Sequence, residues 1–235
     1  MMIAMSEPTT TDANPVSTKT SATCTPARAH HRGGIRKVLE WAWVYAAFKE
    51  FVQPVAAQRA FVAEFVPVCA GSRILDVGCG TGWILDYLPA DIHYTGYDLN
   101  PKYIESAQEQ HGDRATFFCA DITSESVPQI EGGGFDIVLA LGFLHHLNDG
   151  EATSLCKSAH AHLKPGGVFI TFDGVYVPKQ SPIARYIISR DRGRAVRTRE
   201  GYLALTAPLF SRVKEQVRTD LLRIPYTHFL MHCYK

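Results

Sequence analysis

Between residues 72 and 173, short apolar runs alternate with stretches of helical period. Residues 73–77, 92–97, 116–119, 135–141 and 168–172 are of strand length, and 135–141 reads as a strand buried on both faces. Between them, 83–88, 101–110 and 151–163 carry helical spacing, with Asn100 in the N-cap position before Pro101. Strands that alternate with helices predict an α/β fold with a doubly wound, mostly parallel sheet. After Asp173 the pattern changes. Residues 182–189 and 199–209 read as short helices. Val213, Val217 and Leu221 then alternate with polar positions at strand period, and 227–234 reads as a last strand. Arg223 to Tyr226 reads as a short connection, which suits an antiparallel pair and predicts an antiparallel last strand.

Upstream the pattern is different. Residues 1–34 are rich in Ser, Thr, Pro and Ala and lack an apolar period, which predicts a disordered tail. Val38, Trp41, Tyr45, Phe48 and Val52 recur at helical spacing, and 57–66 reads as a second helix. These are either helices packed on the domain edge or a lid whose Trp41, Tyr45 and Phe48 line a substrate pocket. Peripheral membrane contact of the aromatic stripe is a further reading. The expected organisation is a tail over 1–34, N-terminal helices over 35–71 and one main domain over 72–235, with 174–209 as a lid inserted before a C-terminal hairpin.

Composition adds limits. The chain has 235 residues, and 24 Lys+Arg against 23 Asp+Glu leave a net charge of +1. Bulk charge therefore gives no case for a nucleic-acid partner. Six cysteines lie far apart, none at zinc-knuckle or redox spacing, which predicts reduced thiols and no metal. No run reaches the ~18 apolar residues of a spanning helix, and residues 1–5 are too short for a signal segment. These features predict a cytoplasmic protein.

The strongest local signal is Ile74-Leu75-Asp76-Val77-Gly78-Cys79-Gly80-Thr81-Gly82. A strand ends in a glycine turn, where a ligand can approach the backbone closely. The dinucleotide fingerprint G-x-G-x-x-G needs a third glycine where Trp83 stands. A carboxylate at Asp76, at the mouth of the loop, repels a diphosphate and favours a cation. Asp98 ends the next strand, about twenty positions on, where a carboxylate accepts from ribose hydroxyls. Asp121 ends the third strand, with Ile122 beside it. Each aspartate alone could be a helix cap. Three at successive strand ends point to a ligand edge.

These segments, with Tyr97-Asp98-Leu99, Ala120-Asp121-Ile122, Phe135-Asp136-Ile137-Val138, Leu144-His145-His146-Leu147 and Leu163-Lys164-Pro165-Gly166-Gly167, resemble the class I S-adenosylmethionine-dependent methyltransferases. The resemblance is to the small-molecule type that includes quinone-biosynthesis enzymes. It implies a Rossmann-like fold and S-adenosylmethionine as cofactor, with S-adenosylhomocysteine as product. It sets Asp76, Gly78, Gly80 and Gly82 around the methionine moiety, Asp98 at the ribose, Asp121 and Ile122 at the adenine, and Leu99, Leu141 and Gly142 along the cofactor.

The acceptor side is less specified. His145 and His146 follow the fourth strand and are candidates for a general base, or for a structural cap of the next helix. Asp173 and Tyr176 are further candidates after the fifth strand. Arg192, Arg194 and Arg197 sit in an arginine-rich stretch, read either as a solvated face or as a grip on an anionic acceptor. A small-molecule acceptor, methylated on oxygen, is the favoured reading. An RNA or protein methyltransferase and a non-catalytic cofactor-binding partner protein are the alternatives.

Overall fold

The computed structural model describes residues 54–121, 134–191, 193 and 195–235. The tail, the stripe with Tyr45, and Ile122, Arg192 and Arg194 lie outside the described residues. Helix α1 (Val55–Phe65) precedes β1 (Arg73–Val77), a 3-10 turn (Trp83–Tyr87), β2 (His93–Asp98), α2 (Pro101–His111) and β3 (Ala115–Cys119). Then follow β4 (Phe135–Leu141), a second 3-10 turn (Leu144–His146), α3 (Asp149–His162), β5 (Leu163–Tyr176) and α4 (Pro182–Ser189). The chain closes with β6 (Arg197–Thr198), α5 (Arg199–Thr206), β7 (Arg212–Arg218) and β8 (His228–Tyr234).

The local sequence accounts for the helix starts. Asn100 accepts the Lys102 N–H at 3.1 Å with Pro101 in the first turn. Asn148 accepts from the Glu151 N–H at 3.0 Å while Glu151 accepts from the Asn148 N–H at 2.9 Å, a complete capping box.

The strands order as β3-β2-β1-β4-β5-β8-β7, with β6 paired to β5. Strands β1 to β5 are parallel, and β8 runs antiparallel between β5 and β7. Period-two alternation sends Ile74, Ile137, Leu139 and Ile170 to one face, against Phe61 and Phe65 of α1 and Ile104 of α2. Leu75, Val138, Ala140 and Phe169 go to the other face, against Leu155 and Cys156 of α3 and Tyr202 of α5. This is the doubly wound, Rossmann-like sheet with an antiparallel last strand that the pattern predicts. All the parallel strands end on one edge, where ligands bind in such sheets.

Four expectations are corrected. The segment after the glycine loop is a five-residue 3-10 turn, not an α-helix: Gly82 enters it at φ 74°, and Pro89 follows closely. Strand β5 extends well past 168–172 in both directions, so Asp173 and Tyr176 lie inside it. Pairing with β8 continues through Asp173 and Gly174, and β6 pairs with Val175 and Tyr176. Residues 219–227 join β7 to β8, a longer connection than the one read from Arg223 to Tyr226. Of the segment 174–209, α5 is core: Tyr202 is fully buried and its hydroxyl donates to the Gly174 carbonyl at 2.9 Å.

Candidate active site

A cleft of about 420 Å³ opens at the carboxyl ends of β1, β2 and β3. Gly78, Asp98, Leu99 and Asp121 line it, together with Tyr97 and Ala120. Phe143, Leu147, Glu151, Ser154 and Leu155 form its other wall. Gly78 has φ +74°, and a Cβ there would lie 2.4 Å from the Phe143 ring, so glycine is required by both backbone and packing. Asp98 fixes the loop: its Oδ2 accepts from the Gly80 N–H at 3.0 Å and its Oδ1 from the Asn100 N–H at 2.8 Å. Each oxygen keeps a lone pair for a ligand hydroxyl. Leu99, 47% exposed, offers an apolar platform beside it.

Asp76, Gly80, Gly82, Leu141 and Gly142 are not among the residues lining the cleft. A side chain at Gly82 would meet Phe117 and His111 instead. The Gly142 N–H donates to the Phe172 carbonyl at 2.6 Å. Asp76 corrects the reading of a carboxylate at the mouth of the loop. It is 4% exposed within β1, and the Tyr94 hydroxyl donates to its Oδ2 at 2.6 Å. Burial pushes its carboxyl up to about 7, against the pull of the Tyr94 bond. The folded protein therefore keeps this proton to a higher pH than the unfolded chain. The stability it contributes is full below the unfolded value of 3.8 and is lost as pH rises through about 7. Asp76→Asn keeps an acceptor for Tyr94 and carries no charge. Its melting midpoint should gain on wild type between pH 4 and 8, by the equivalent of about 2–4 kcal/mol. A difference that does not change with pH would contradict this.

His145 and His146 part company in the structure. His146 is exposed, with its ring 4.2 Å from that of His145. His145 is buried: its Nδ1 lies 2.7 Å from Asp173 Oδ1, and its backbone N–H donates to the same oxygen at 3.1 Å. Asp173 Oδ2 is buried with no hydrogen-bond partner among the described residues. His145 Nε2 lies 3.9 Å from Asp191 Oδ1, and the Tyr226 hydroxyl donates to Asp191 Oδ2 at 2.5 Å. Burial lowers the His145 pKa, but the Asp173 hydrogen bond and the Asp173 and Asp191 charges outweigh it, and the net shift is upward. Nearby His228 stacks on Phe172 at 4.4 Å, and burial pushes it down to about 3, so it stays neutral. The turn between β4 and α3 links the two regions: Phe143 and Leu147 line the cleft, and His145 bonds β5. Gly193 covers the imidazole, since a Cβ there would fall 1.9 Å from His145 Cδ2.

Two of the other acceptor-side candidates are placed. Tyr176 is half-buried at the end of β5, under the Arg185 guanidinium at 5.0 Å. Arg197 is corrected as an anion grip, because its guanidinium is already committed. It donates to the carbonyls of Leu144, Leu147 and Ala195 at 2.8–3.0 Å and to Asp149 Oδ1 at 2.8–2.9 Å. Its side chain is 8% exposed. Arg197→Ala should cost about 3 kcal/mol and lower the melting midpoint by roughly 6–12 °C. An unchanged midpoint with lost acceptor affinity would restore the anion reading. Sequence reasoning missed Phe143 and Asp191. No local motif marks either one; the sheet brings them to the site.

The class of domain follows from this cleft and from comparison. Residues 74–167 match the family described as Methyltransferase domain. The resemblance to the class I S-adenosylmethionine-dependent methyltransferases therefore holds for that segment. Phosphoethanolamine N-methyltransferase 1 of Triticum aestivum is 35% identical over 118 residues, covering 48% of this chain and 24% of that protein. The 27-O-demethylrifamycin SV methyltransferase of Amycolatopsis mediterranei is 33% identical over 124 residues, covering 50% of this chain and 44% of that protein. The chain thus spans less than half the length of either curated relative. A SAM-dependent methyltransferase structure from Methanosarcina mazei shares the fold at TM-score 0.57 and 18% identity, covering 74% of this chain and 96% of that one.

Proposed function

We propose that the chain is an S-adenosylmethionine-dependent methyltransferase that methylates a small molecule, with oxygen as the favoured acceptor atom. The observation that carries this is the charge of the cleft. Among the described residues its lining includes Asp98, Asp121 and Glu151 and no Lys or Arg. Such a wall suits a ligand with a sulfonium and an ammonium and opposes a diphosphate. The 3-10 turn after the glycine loop supports the same choice, because the helix N-terminus that holds a dinucleotide's phosphates is missing there.

In this reading Asp98 takes the ribose hydroxyls and Leu99 packs beside them. Asp121 and, by resemblance, Ile122 take the adenine. Gly78 and Gly80 leave backbone room for the methionine moiety, and Asp76, Gly82, Leu141 and Gly142 shape the surrounding strand ends. The cofactor, when bound, supplies a methyl group on a sulfide leaving group. The chain's own task is then to hold the acceptor in line and accept its proton. His145 Nε2 is the candidate proton acceptor, with Asp173 fixing Nδ1–H and stabilising the imidazolium. The Gly193 segment would have to move aside for an acceptor to reach it.

The anionic-acceptor reading and the RNA or protein alternative lose the support of Arg197, which is spent on the fold. The test is label transfer. The chain is incubated with methyl-labelled S-adenosylmethionine and cell extract, and the small-molecule, lipid, protein and nucleic-acid fractions are then separated. Label in small molecules or extracted lipid-soluble compounds supports the proposal. Label in RNA or protein overturns the acceptor class, and no label despite cofactor binding overturns the activity.

A further inference from the structure

The surface around α4 has no part in the reading above. Ile183 and Tyr186 stand three residues apart on this helix and are 60% and 61% exposed, the highest among the large apolar side chains of the described residues. Single exposed apolar residues are ordinary on a protein surface. Here two share one helix face, while Ala184 and Ile188 on the other face are buried. Cations flank the exposed pair along the chain, and the Arg185 guanidinium lies over Tyr176 at the end of β5. Lys179, Arg185 and Arg190 are all exposed. The Arg190 guanidinium lies 5.3 Å from the Tyr186 ring. From Val177 to Arg190 the chain carries these three cations and no Asp or Glu. Arg192 and Arg194 follow in sequence, and the intervening Asp191 is engaged by Tyr226.

We propose that the α4 face docks the protein on an anionic lipid surface. The helix lies in the plane of the interface, with Ile183 and Tyr186 entering the headgroup layer and Lys179, Arg185 and Arg190 meeting lipid phosphates. Apolar side chains flanked by cations are what an interfacial helix needs. An acid-free stretch is complementary to a negative leaflet. This inference does not depend on methyl transfer. Should that reading also hold, α4 directly follows β5, the strand that carries Asp173, so a lipid-dissolved acceptor would lie close to the site.

The test is cosedimentation of the whole chain with vesicles of phosphatidylcholine alone and of phosphatidylcholine mixed with phosphatidylglycerol. Binding is expected only to the mixed vesicles. The Arg185→Gln/Arg190→Gln protein should partition roughly 10- to 30-fold more weakly. Arg185→Lys/Arg190→Lys should bind like wild type. Ile183→Ser/Tyr186→Ser should lose about tenfold or more, because it removes the inserted area. All four side chains are exposed, and the Arg185–Tyr176 and Arg190–Tyr186 contacts are weak at such sites, so each variant should melt within a few degrees of wild type. Absence of binding to mixed vesicles overturns the proposal. So does equal binding of wild type and the α4 variants, which would move any lipid contact elsewhere. Loss with the arginines but not with Ile183 and Tyr186 overturns insertion. Arginine-dependent binding of an oligonucleotide without vesicle binding assigns the face to nucleic acid instead.

Discussion

Asp98→Ala should weaken S-adenosylmethionine binding by roughly 10²- to 10⁴-fold. The estimate follows from two charge-assisted hydrogen bonds to a ribose, at about 1.5–3 kcal/mol each. The loop has its own stake in this carboxylate, because Gly80 and Asn100 both donate to it. Calorimetric titration gives the affinity and a melting curve gives the cost to the fold. A large loss of affinity with a small loss of stability is the expected pair. A variant that binds as wild type does would remove Asp98 from the ligand and leave it as a loop staple.

His145→Gln should lower kcat by about 10²- to 10⁴-fold on a hydroxyl acceptor, and Asp173→Asn should lower it for the same reason. The two together should cost little more than the worse single change, since they act as a unit. The pH profile carries the sign. Asp173 and Asp191 raise the His145 pKa, so the free base forms only above the ordinary imidazole value. Wild-type kcat should therefore climb with pH beyond that value. Asp191→Asn should move the climb to lower pH, because it removes one of the charges that holds the proton. The same shift bears on stability. The contribution of a protonated His145 is fully present below the unfolded imidazole value and is lost as pH rises through the raised folded one. If kcat is unchanged across pH in His145→Gln, the imidazole is a structural brace between β5 and the Gly193 segment.

The sheet is legible in the sequence because its strands are short apolar runs separated by helical periods. Residues 135–141 coincide with β4, and Asn100 caps α2 as read. The glycine loop is legible too, but its consequence is not. Trp83 to Leu88 has apolar spacing that fits a helix, and only the left-handed Gly82 and the nearby Pro89 hold it to one 3-10 turn. Asp76 looks like a ligand carboxylate from its place in the motif. Its burial beside Tyr94 depends on strand β2, which local sequence does not report. The His145–Asp173 pair is half legible: both residues stand out, but their 2.7 Å approach comes from the β4–β5 register. Arg197 shows the opposite error. A run of arginines reads as an anion site, whereas backbone carbonyls at the end of the β4 turn claim this guanidinium.

The most direct test of the account is a calorimetric titration of the chain with S-adenosylmethionine and, separately, with NAD. The charge of the cleft predicts saturable one-to-one binding of S-adenosylmethionine, lost in Asp98→Ala, and no heat of binding with NAD. Binding of NAD that is lost in Asp98→Ala, with none of S-adenosylmethionine, would contradict the account and make the cleft a dinucleotide site despite its carboxylates.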